Sequence, residues 1–183
     1  MSKALKNRKV VLQPGLCDGC NRCVEACEEK INRGRNKNKR KTALIKIIRA
    51  GQFFYPVICR NCNDAPCVTA CMTGCRKQDE NGLVLTDYER CVGCWMCIMN
   101  CPFGAIERDV EDHIARKCEG CPDMGTAPCV AACAAGVLGH ADTREYSSMT
   151  RRESAERFIS GVVPASGTVA GSASLPAGTN NIG

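Results

Sequence analysis

Sixteen of the seventeen cysteines in this chain fall into four groups of four, and their spacing points to metal or redox chemistry. The groups, in chain order, are Cys17, Cys20, Cys23, Cys27; Cys59, Cys62, Cys67, Cys71; Cys91, Cys94, Cys97, Cys101; and Cys118, Cys121, Cys129, Cys133. Clustered cysteines form disulfides in secreted proteins and bind metal in reducing compartments. Residues 1–11 are basic and contain no apolar run of signal-peptide length, so we expect metal ligands in the cytoplasm.

The four groups repeat in an alternating order, which indicates an internal duplication. The first and third share the spacing CxxCxxCxxxC, and Pro102 follows the third, as in the ferredoxin run that binds [4Fe–4S] clusters. The second and fourth share Ala-Pro-Cys-Val-x-Ala-Cys. The sequence therefore predicts four [4Fe–4S] clusters, each of which exchanges one electron at a time.

Each motif opens with Cys-x-Gly-Cys or Cys-x-Asn-Cys. The residues at the third position are Gly19, Asn61, Gly93 and Gly120. Glycine, and next best asparagine, adopts a positive φ at low cost. We therefore predict four tight turns that point backbone N–H groups at the cluster sulfurs.

Cys75 lies outside the four groups. It occupies the position that Ala105 and Val137 hold after the corresponding motifs, directly after a Cys-x-x-Gly sequence. A free cysteine behaves as a small hydrophobic residue. We therefore predict that Cys75 is buried and is not a ligand.

These motifs give residues 12–138 a clear family resemblance. The segments 59–71, 79–85 and 91–105 resemble the four-cluster, ferredoxin-like electron-transfer subunits of molybdenum and tungsten oxidoreductases. That family includes the iron–sulfur subunits of DMSO reductase, formate dehydrogenases, and hydrogenase or CO-dehydrogenase systems. Met72, Ala134 and Glu28 stand where the family usually has proline after the last cysteine of a motif.

The resemblance also implies which cysteines share a cluster. Motifs pair first with fourth and second with third, and the last cysteine of each crosses to the neighbouring cluster. The implied sets are Cys17, Cys20, Cys23, Cys133; Cys118, Cys121, Cys129, Cys27; Cys59, Cys62, Cys67, Cys101; and Cys91, Cys94, Cys97, Cys71.

The expected fold is α+β, a duplicated bacterial-ferredoxin-like fold with short β-hairpins and short helices around the clusters. Strands are predicted at 42–49, 53–58 and 82–86, the last two as a pair. We expect the cluster domain at 1–145, a short helix at 146–160 and a low-complexity tail at 161–183. The helix is predicted to be amphipathic, with Thr150 as its cap and Gly161 as its stop. The tail is predicted to bind a partner subunit or another copy of this chain. Binding between copies is further predicted to link them into a filament.

The predicted function is electron transfer between a catalytic subunit and a further redox partner, without catalysis by this chain. The resemblance favours a tungsten or molybdenum enzyme such as an aldehyde oxidoreductase. The alternatives are hydrogenase, formate dehydrogenase and CO dehydrogenase complexes. His113 and His140 are isolated, and no catalytic arrangement surrounds them.

A zinc-binding nucleic-acid module is the rival from another class, because the run 32–41 is strongly basic. Zinc sites, however, close with two CxxC pairs and do not require CxxCxxCxxxC. The formal charge of +6 would become about −2 if sixteen thiolates held four clusters of roughly +2 each. We therefore predict no nucleic-acid partner and no insertion into a membrane.

Overall fold

The computed structural model describes residues 8–34 and 41–162. In these residues the chain forms short strands and helices, in keeping with the α+β expectation. The strands are β1 (Arg8–Leu12), β2 (Ile45–Ala50), β3 (Phe53–Ile58), β4 (Arg76–Gln78), β5 (Val84–Thr86), β6 (Ile106–Asp109), β7 (Ile114–Lys117) and β8 (Leu138–Asp142). The helices are α1 (Arg22–Asn32), α2 (Pro66–Thr69), α3 (Met96–Met99), α4 (Pro128–Ala131) and α5 (Thr143–Val162).

The strands pair as four separate two-stranded antiparallel sheets. Three of them are hairpins between consecutive strands, β2 with β3, β4 with β5, and β6 with β7. The fourth joins the two ends of the described region, because β1 pairs with β8 in a register that places Leu12 opposite Leu138. Each sheet leads the chain into or out of a cysteine motif.

A helix contains the third cysteine of every motif. In the second and fourth motifs the helix starts at the proline of Ala-Pro-Cys-Val, where the fixed φ of proline suits the first helical position. In the first and third motifs α1 and α3 start after Asn21 and Trp95, which have φ values of 61° and 64°. The four third cysteines, all buried in the first turn, are Cys23, Cys67, Cys97 and Cys129.

The packing divides into two hydrophobic cores. Helix α1 packs against α4, and α2 packs against α3. The first core contains Leu12, Ile45 and Leu138 around cysteines of the first and fourth motifs. The second contains Val84 and Ile106 around cysteines of the second and third motifs. Cysteine thus supplies much of the interior of a chain in which aromatic residues are only 4% of the total.

The strand predictions were right in position and wrong in pairing. Strands β2, β3 and β5 lie within or close to the predicted segments. However, 53–58 and 82–86 do not pair with each other, because β3 pairs with β2 and β5 with β4. The sequence analysis missed β4 because its three residues, Arg-Lys-Gln, have no apolar alternation.

The C-terminal helix prediction was wrong in its bounds. Helix α5 begins at Thr143, so Thr150 is an internal residue whose hydroxyl donates to the carbonyl of Tyr146 at 2.9 Å, and Gly161 does not end it. Asp142 accepts a hydrogen bond from the N–H of Arg144 at 2.8 Å and caps the first turn. The helix is mostly exposed rather than amphipathic, with a narrow half-buried stripe through Tyr146 and Met149.

Two features of the sequence analysis lie outside the described residues. They are most of the basic run, at 35–40, and most of the tail, at 163–183. Within the described ranges, no helix has both the length and the apolar character needed to cross a membrane.

Candidate metal centres

The turn predicted at the start of each motif is present. The φ values are 77° at Gly19, 47° at Asn61, 63° at Gly93 and 80° at Gly120. In two motifs the N–H at this position donates to the preceding cysteine sulfur, from Asn61 to Cys59 at 3.5 Å and from Gly120 to Cys118 at 3.4 Å. In these two turns the N–H group therefore points at a cysteine sulfur, while N–H groups directed at cluster sulfurs stay a prediction.

One cavity holds three cysteines of the second motif and the last cysteine of the third. We call this set site C; it consists of Cys59, Cys62, Cys67 and Cys101. Ala65, Val84, Ile106 and Phe103 line the rest of the cavity. Three of these apolar side chains are buried, and so is Cys67, whereas the other three cysteines are partly exposed.

A second cavity is lined by three cysteines of the third motif, the last cysteine of the second, and Cys75. The four predicted ligands among them are called site D: Cys91, Cys94, Cys97 and Cys71. Trp95 and Arg76 also line it. The guanidinium of Arg108 lies 4.6 Å above the Trp95 ring, and the ring of His113 meets it edge-on at 5.3 Å. These contacts fix the indole at the edge of the cavity.

The first and fourth motifs supply the cysteines of the two remaining predicted sets. Site A consists of Cys17, Cys20, Cys23 and Cys133, and site B of Cys118, Cys121, Cys129 and Cys27. Burial raises the pKa of Cys23 to about 11, and Cys133 is the thiol that adds most to this effect. Burial likewise raises the pKa of Cys129, and the neighbouring thiols Cys118, Cys27 and Cys121 raise it further.

Electrostatic interactions connect the four predicted sites in turn, from A to B, from B to C and from C to D. Cys23 of site A is close enough to Cys129 of site B to raise its pKa. Cys59 of site C likewise raises the pKa of Cys118 of site B. The guanidinium of Arg76 lies beside Cys67 of site C and Cys97 of site D. The fold therefore brings each motif's last cysteine to a neighbouring motif, while iron binding by the sixteen thiols stays a prediction.

The thiol chemistry of these sites fits iron–sulfur clusters. Burial raises the pKa of Cys118 to about 12, and Cys59 and Cys121 reinforce the effect. Several thiolates packed together without a cation would repel one another in this interior. Iron removes that obstacle, because a thiol that coordinates a metal loses its proton outright. The [4Fe–4S] group, when bound, would accept and release one electron.

A single metal ion fits these sites less well. Among the residues that the structure describes, no group of three or more His, Cys, Asp or Glu side chains has an arrangement that could hold one ion. A tetrahedral zinc site requires four ligands that converge on one point. In a [4Fe–4S] cluster each thiolate binds a different iron, so the sulfurs surround the group.

The residues that the sequence analysis treated as structural are placed as follows. Cys75 is buried, as predicted, and so are Ala105 and Val137 at the corresponding positions. His140 accepts a hydrogen bond from the N–H of Ala127 at 3.2 Å, and burial lowers its pKa. His113 packs beside Gly93 and Trp95. Both histidines therefore have contacts that explain their presence.

One contribution that the sequence did not reveal is the hydrogen bonding around Cys71. Burial opposes ionisation of this thiol, but bonds from Thr73 and Cys75 and from the N–H groups of Arg76 and Cys75 lower its pKa to about 6. Burial, reinforced by Cys71, raises the pKa of Cys75 to about 11. The two sulfurs lie within hydrogen-bond distance, and the raised pKa of Cys75 favours Cys75 as the donor.

Comparison with known protein families gives an independent result. Residues 50–143, about half of the chain, match the 4Fe-4S dicluster domain. The chain belongs to this dicluster family. The matched region includes the second, third and fourth cysteine motifs, and the prediction of a ferredoxin-like iron–sulfur domain is confirmed.

Individual relatives agree with this assignment. The chain is 29% identical, over 91% of its length, to the B subunit of the sulfite dehydrogenase of Allochromatium vinosum, of which it covers 82%. It is 34% identical, over 67% of its length, to the thiosulfate reductase electron transfer subunit PhsB of Salmonella typhi, of which it covers 69%. It is 32% identical, over 73% of its length, to the beta subunit of the NADH-dependent phenylglyoxylate dehydrogenase of Aromatoleum evansii. The chain spans 30% of that last protein.

Proposed function

We propose that this chain is the electron-transfer subunit of an oxidoreductase complex and relays single electrons through four [4Fe–4S] clusters at sites A to D. The observation that carries the proposal is that two cavities, at sites C and D, each bring three cysteines of one motif together with the last cysteine of another. The electron-transfer role is supported by the dicluster family and by relatives that are named as oxidoreductase subunits. Catalysis belongs to a partner subunit.

The two ends of this proposed relay are the expected points of entry and exit for electrons. Of the seventeen cysteines only Cys20 and Cys94 are exposed, and they belong to the terminal sites A and D. Val92 and Met96, next to Cys94, are also exposed. An exposed ligand brings its cluster close to a docked redox partner, whereas sites B and C have none.

Anaerobic metal analysis tests the relay directly. The purified chain should contain about sixteen irons and as many acid-labile sulfides. Cys62→Ala and Cys121→Ala should each remove about four irons, from sites C and B, while Cys75→Ala should remove none. Zinc without sulfide would contradict the proposal and favour the zinc module instead.

The catalytic partner is proposed on family resemblance. A tungsten or molybdenum enzyme, for example an aldehyde oxidoreductase, is the first candidate, and a hydrogenase, formate or CO dehydrogenase complex is the second. Co-purification of the tagged chain, followed by metal analysis of the bound subunits, decides between them. A copurifying subunit without tungsten or molybdenum would contradict the first candidate.

The organisation of the chain is proposed as a duplicated cluster domain that ends before Thr143, followed by helix α5 and a tail, acting in the cytoplasm. We further propose that residues 161–183 contact a partner or another copy. Deleting 161–183 should reduce complex size in sedimentation without changing the iron content. An unchanged complex size would refute the role of the tail, and discrete particles at every concentration in electron micrographs would refute a filament.

A further inference from the structure

Two positively charged side chains, Arg76 and Lys117, are buried among the described residues. Arg76 is 1% exposed and Lys117 is 0% exposed, and they are among the largest fully buried side chains. In the part of the chain that the structure describes, neither takes part in an ion pair. Burying a charge is unfavourable unless an opposite charge lies nearby. Thiols of the cysteine sites supply opposite charge when ionised: Cys97 and Cys67 interact with Arg76, and Cys67 also interacts with Lys117.

Arg76 lies between sites C and D. It is the first residue of β4, and its guanidinium donates to the carbonyl of Ala115 at 2.8 Å and to the hydroxyl of Thr86 at 3.2 Å. Its Nε is buried and has no hydrogen-bond partner. The side chain lines the cavity of site D, and Cys97 and Cys67 are the thiolates that act on it most strongly.

Lys117 lies between sites B and C. It is the last residue of β7, and its ammonium donates to the carbonyls of Val84 and Cys118, the latter at 2.9 Å. It also lies 3.5 Å from the side-chain oxygen of Asn61, which is in the turn between Cys59 and Cys62. Lys117 therefore links the first cysteine of site B to the turn of site C.

Arg76 is thus a neighbour of sites C and D, and Lys117 is a neighbour of sites B and C, so that site C is next to both cations. The positive charge of each favours the ionised form of Cys67, the buried third cysteine of that site. Each reduction of a [4Fe–4S] cluster adds one negative charge. A fixed positive charge in an interior of low effective dielectric stabilises the reduced form, and because it is buried it is screened little by salt.

We propose that Arg76 and Lys117 set the reduction potentials of the relay, raising that of the cluster at site C, which is next to both, above the value it would have without them. This inference rests on the proposed function. It makes site C a place where an electron is held between the terminal sites. Arg76 also raises the potential of site D, and Lys117 that of site B.

Redox titration of the full chain, followed by electron paramagnetic resonance, tests this. Arg76→Gln should lower the midpoint potentials of two of the four clusters and leave the other two near their original values. Arg76→Lys keeps the charge and should restore both. Arg49→Gln, which removes an exposed cation on β2, is the matched control and should shift none. Potentials that do not move in Arg76→Gln, or that move equally in Arg76→Lys, overturn the proposal.

Asn61→Asp provides a second test that leaves both cations in place. Aspartate is nearly the same shape, tolerates the positive φ at this position, and would place a carboxylate against the ammonium of Lys117. We expect it to lower the midpoint potential of the cluster at site C. An unchanged potential contradicts the proposal even if the arginine variants fail to fold.

Iron content separates this inference from the proposed function. If the wild-type chain binds no iron or sulfide, the relay itself is refuted. If it binds about sixteen irons and the midpoint potentials do not depend on either cation, only the role of Arg76 and Lys117 is refuted.

Discussion

The sulfur of Cys75 lies 3.3 Å from the sulfur of Cys71. Cys71 is a predicted ligand of site D, and Cys75 is not a predicted ligand of any site. The contact suggests a role for Cys75, the seventeenth cysteine, because a protonated thiol beside a ligating thiolate donates a hydrogen bond to it. Hydrogen bonds to cluster sulfurs stabilise the reduced state and raise the potential.

Replacing Cys75 by alanine should therefore retain about sixteen irons per chain and lower the midpoint potential of one cluster. Cys75→Ser supplies a hydroxyl donor in the same place and should recover most of the loss. The measurements are iron analysis and redox titration. Loss of about four irons in Cys75→Ala would show that this residue is a ligand after all.

The turn at Gly93 should tolerate no side chain. Its φ is 63°, and a Cβ there would collide with the backbone carbonyl of His113. We expect Gly93→Ala to lose the cluster at site D, about four irons. Gly104→Ala is the matched control, because its φ is 59° but nothing lies within 4 Å of the added carbon. It should cost about 1–2 kcal/mol of stability from backbone strain and keep all its iron. Equal iron content in the two variants would show that the contact with His113 is unimportant.

The metal-free chain should lose stability as the solution becomes alkaline. Burial raises the pKa of Cys23 from 9.0 to about 11 and that of Cys118 to about 12. Above pH 9 the unfolded chain releases protons that the folded chain retains, so the free energy of unfolding falls as the pH rises to 11. Urea denaturation of the metal-free protein between pH 8 and about 11 measures the slope. Cys23→Ala should make it shallower, and a stability that rises over this range would contradict the assignment.

Helix α5 should depend on one hydrogen bond for its attachment to β1. The hydroxyl of Tyr146 donates to the carbonyl of Leu12 at 2.6 Å. Tyr146→Phe should lower the free energy of unfolding by about 1 kcal/mol, measured by urea denaturation. Ser148→Ala, at an exposed position of the same helix, should change it little. Faster hydrogen exchange in α5 alone would show that the loss is local to the helix.

The cysteine turns could be predicted because local sequence decides them. A turn with a positive φ favours glycine or asparagine whatever surrounds it, and Asn61 follows that rule at 47°. The second role of Asn61 could not be predicted in this way. Its side-chain oxygen accepts from the N–H of Val84 at 3.0 Å, a contact that spans 23 residues.

The strand pairings and the buried cations depend on tertiary structure. Segment 106–109 reads Ile-Glu-Arg-Asp, without the alternation that marks a strand, and it is paired only because 114–117 returns beside it. Arginine and lysine are ordinarily surface residues, so Arg76 and Lys117 carried no signal of burial. Only the tertiary fold brings these two side chains next to the cysteine sites.

The pairing of β1 with β8 has a consequence for the order of assembly on the ribosome. Arg8 bonds to the carbonyl of His140, 132 residues further along the chain. Sites C and D take all their cysteines from the second and third motifs and are complete when residue 101 has emerged. With the predicted ligand sets, Cys17 and Cys20 must instead wait for Cys133, so we expect site A to close last and its cysteines to be exposed longest to oxygen during synthesis.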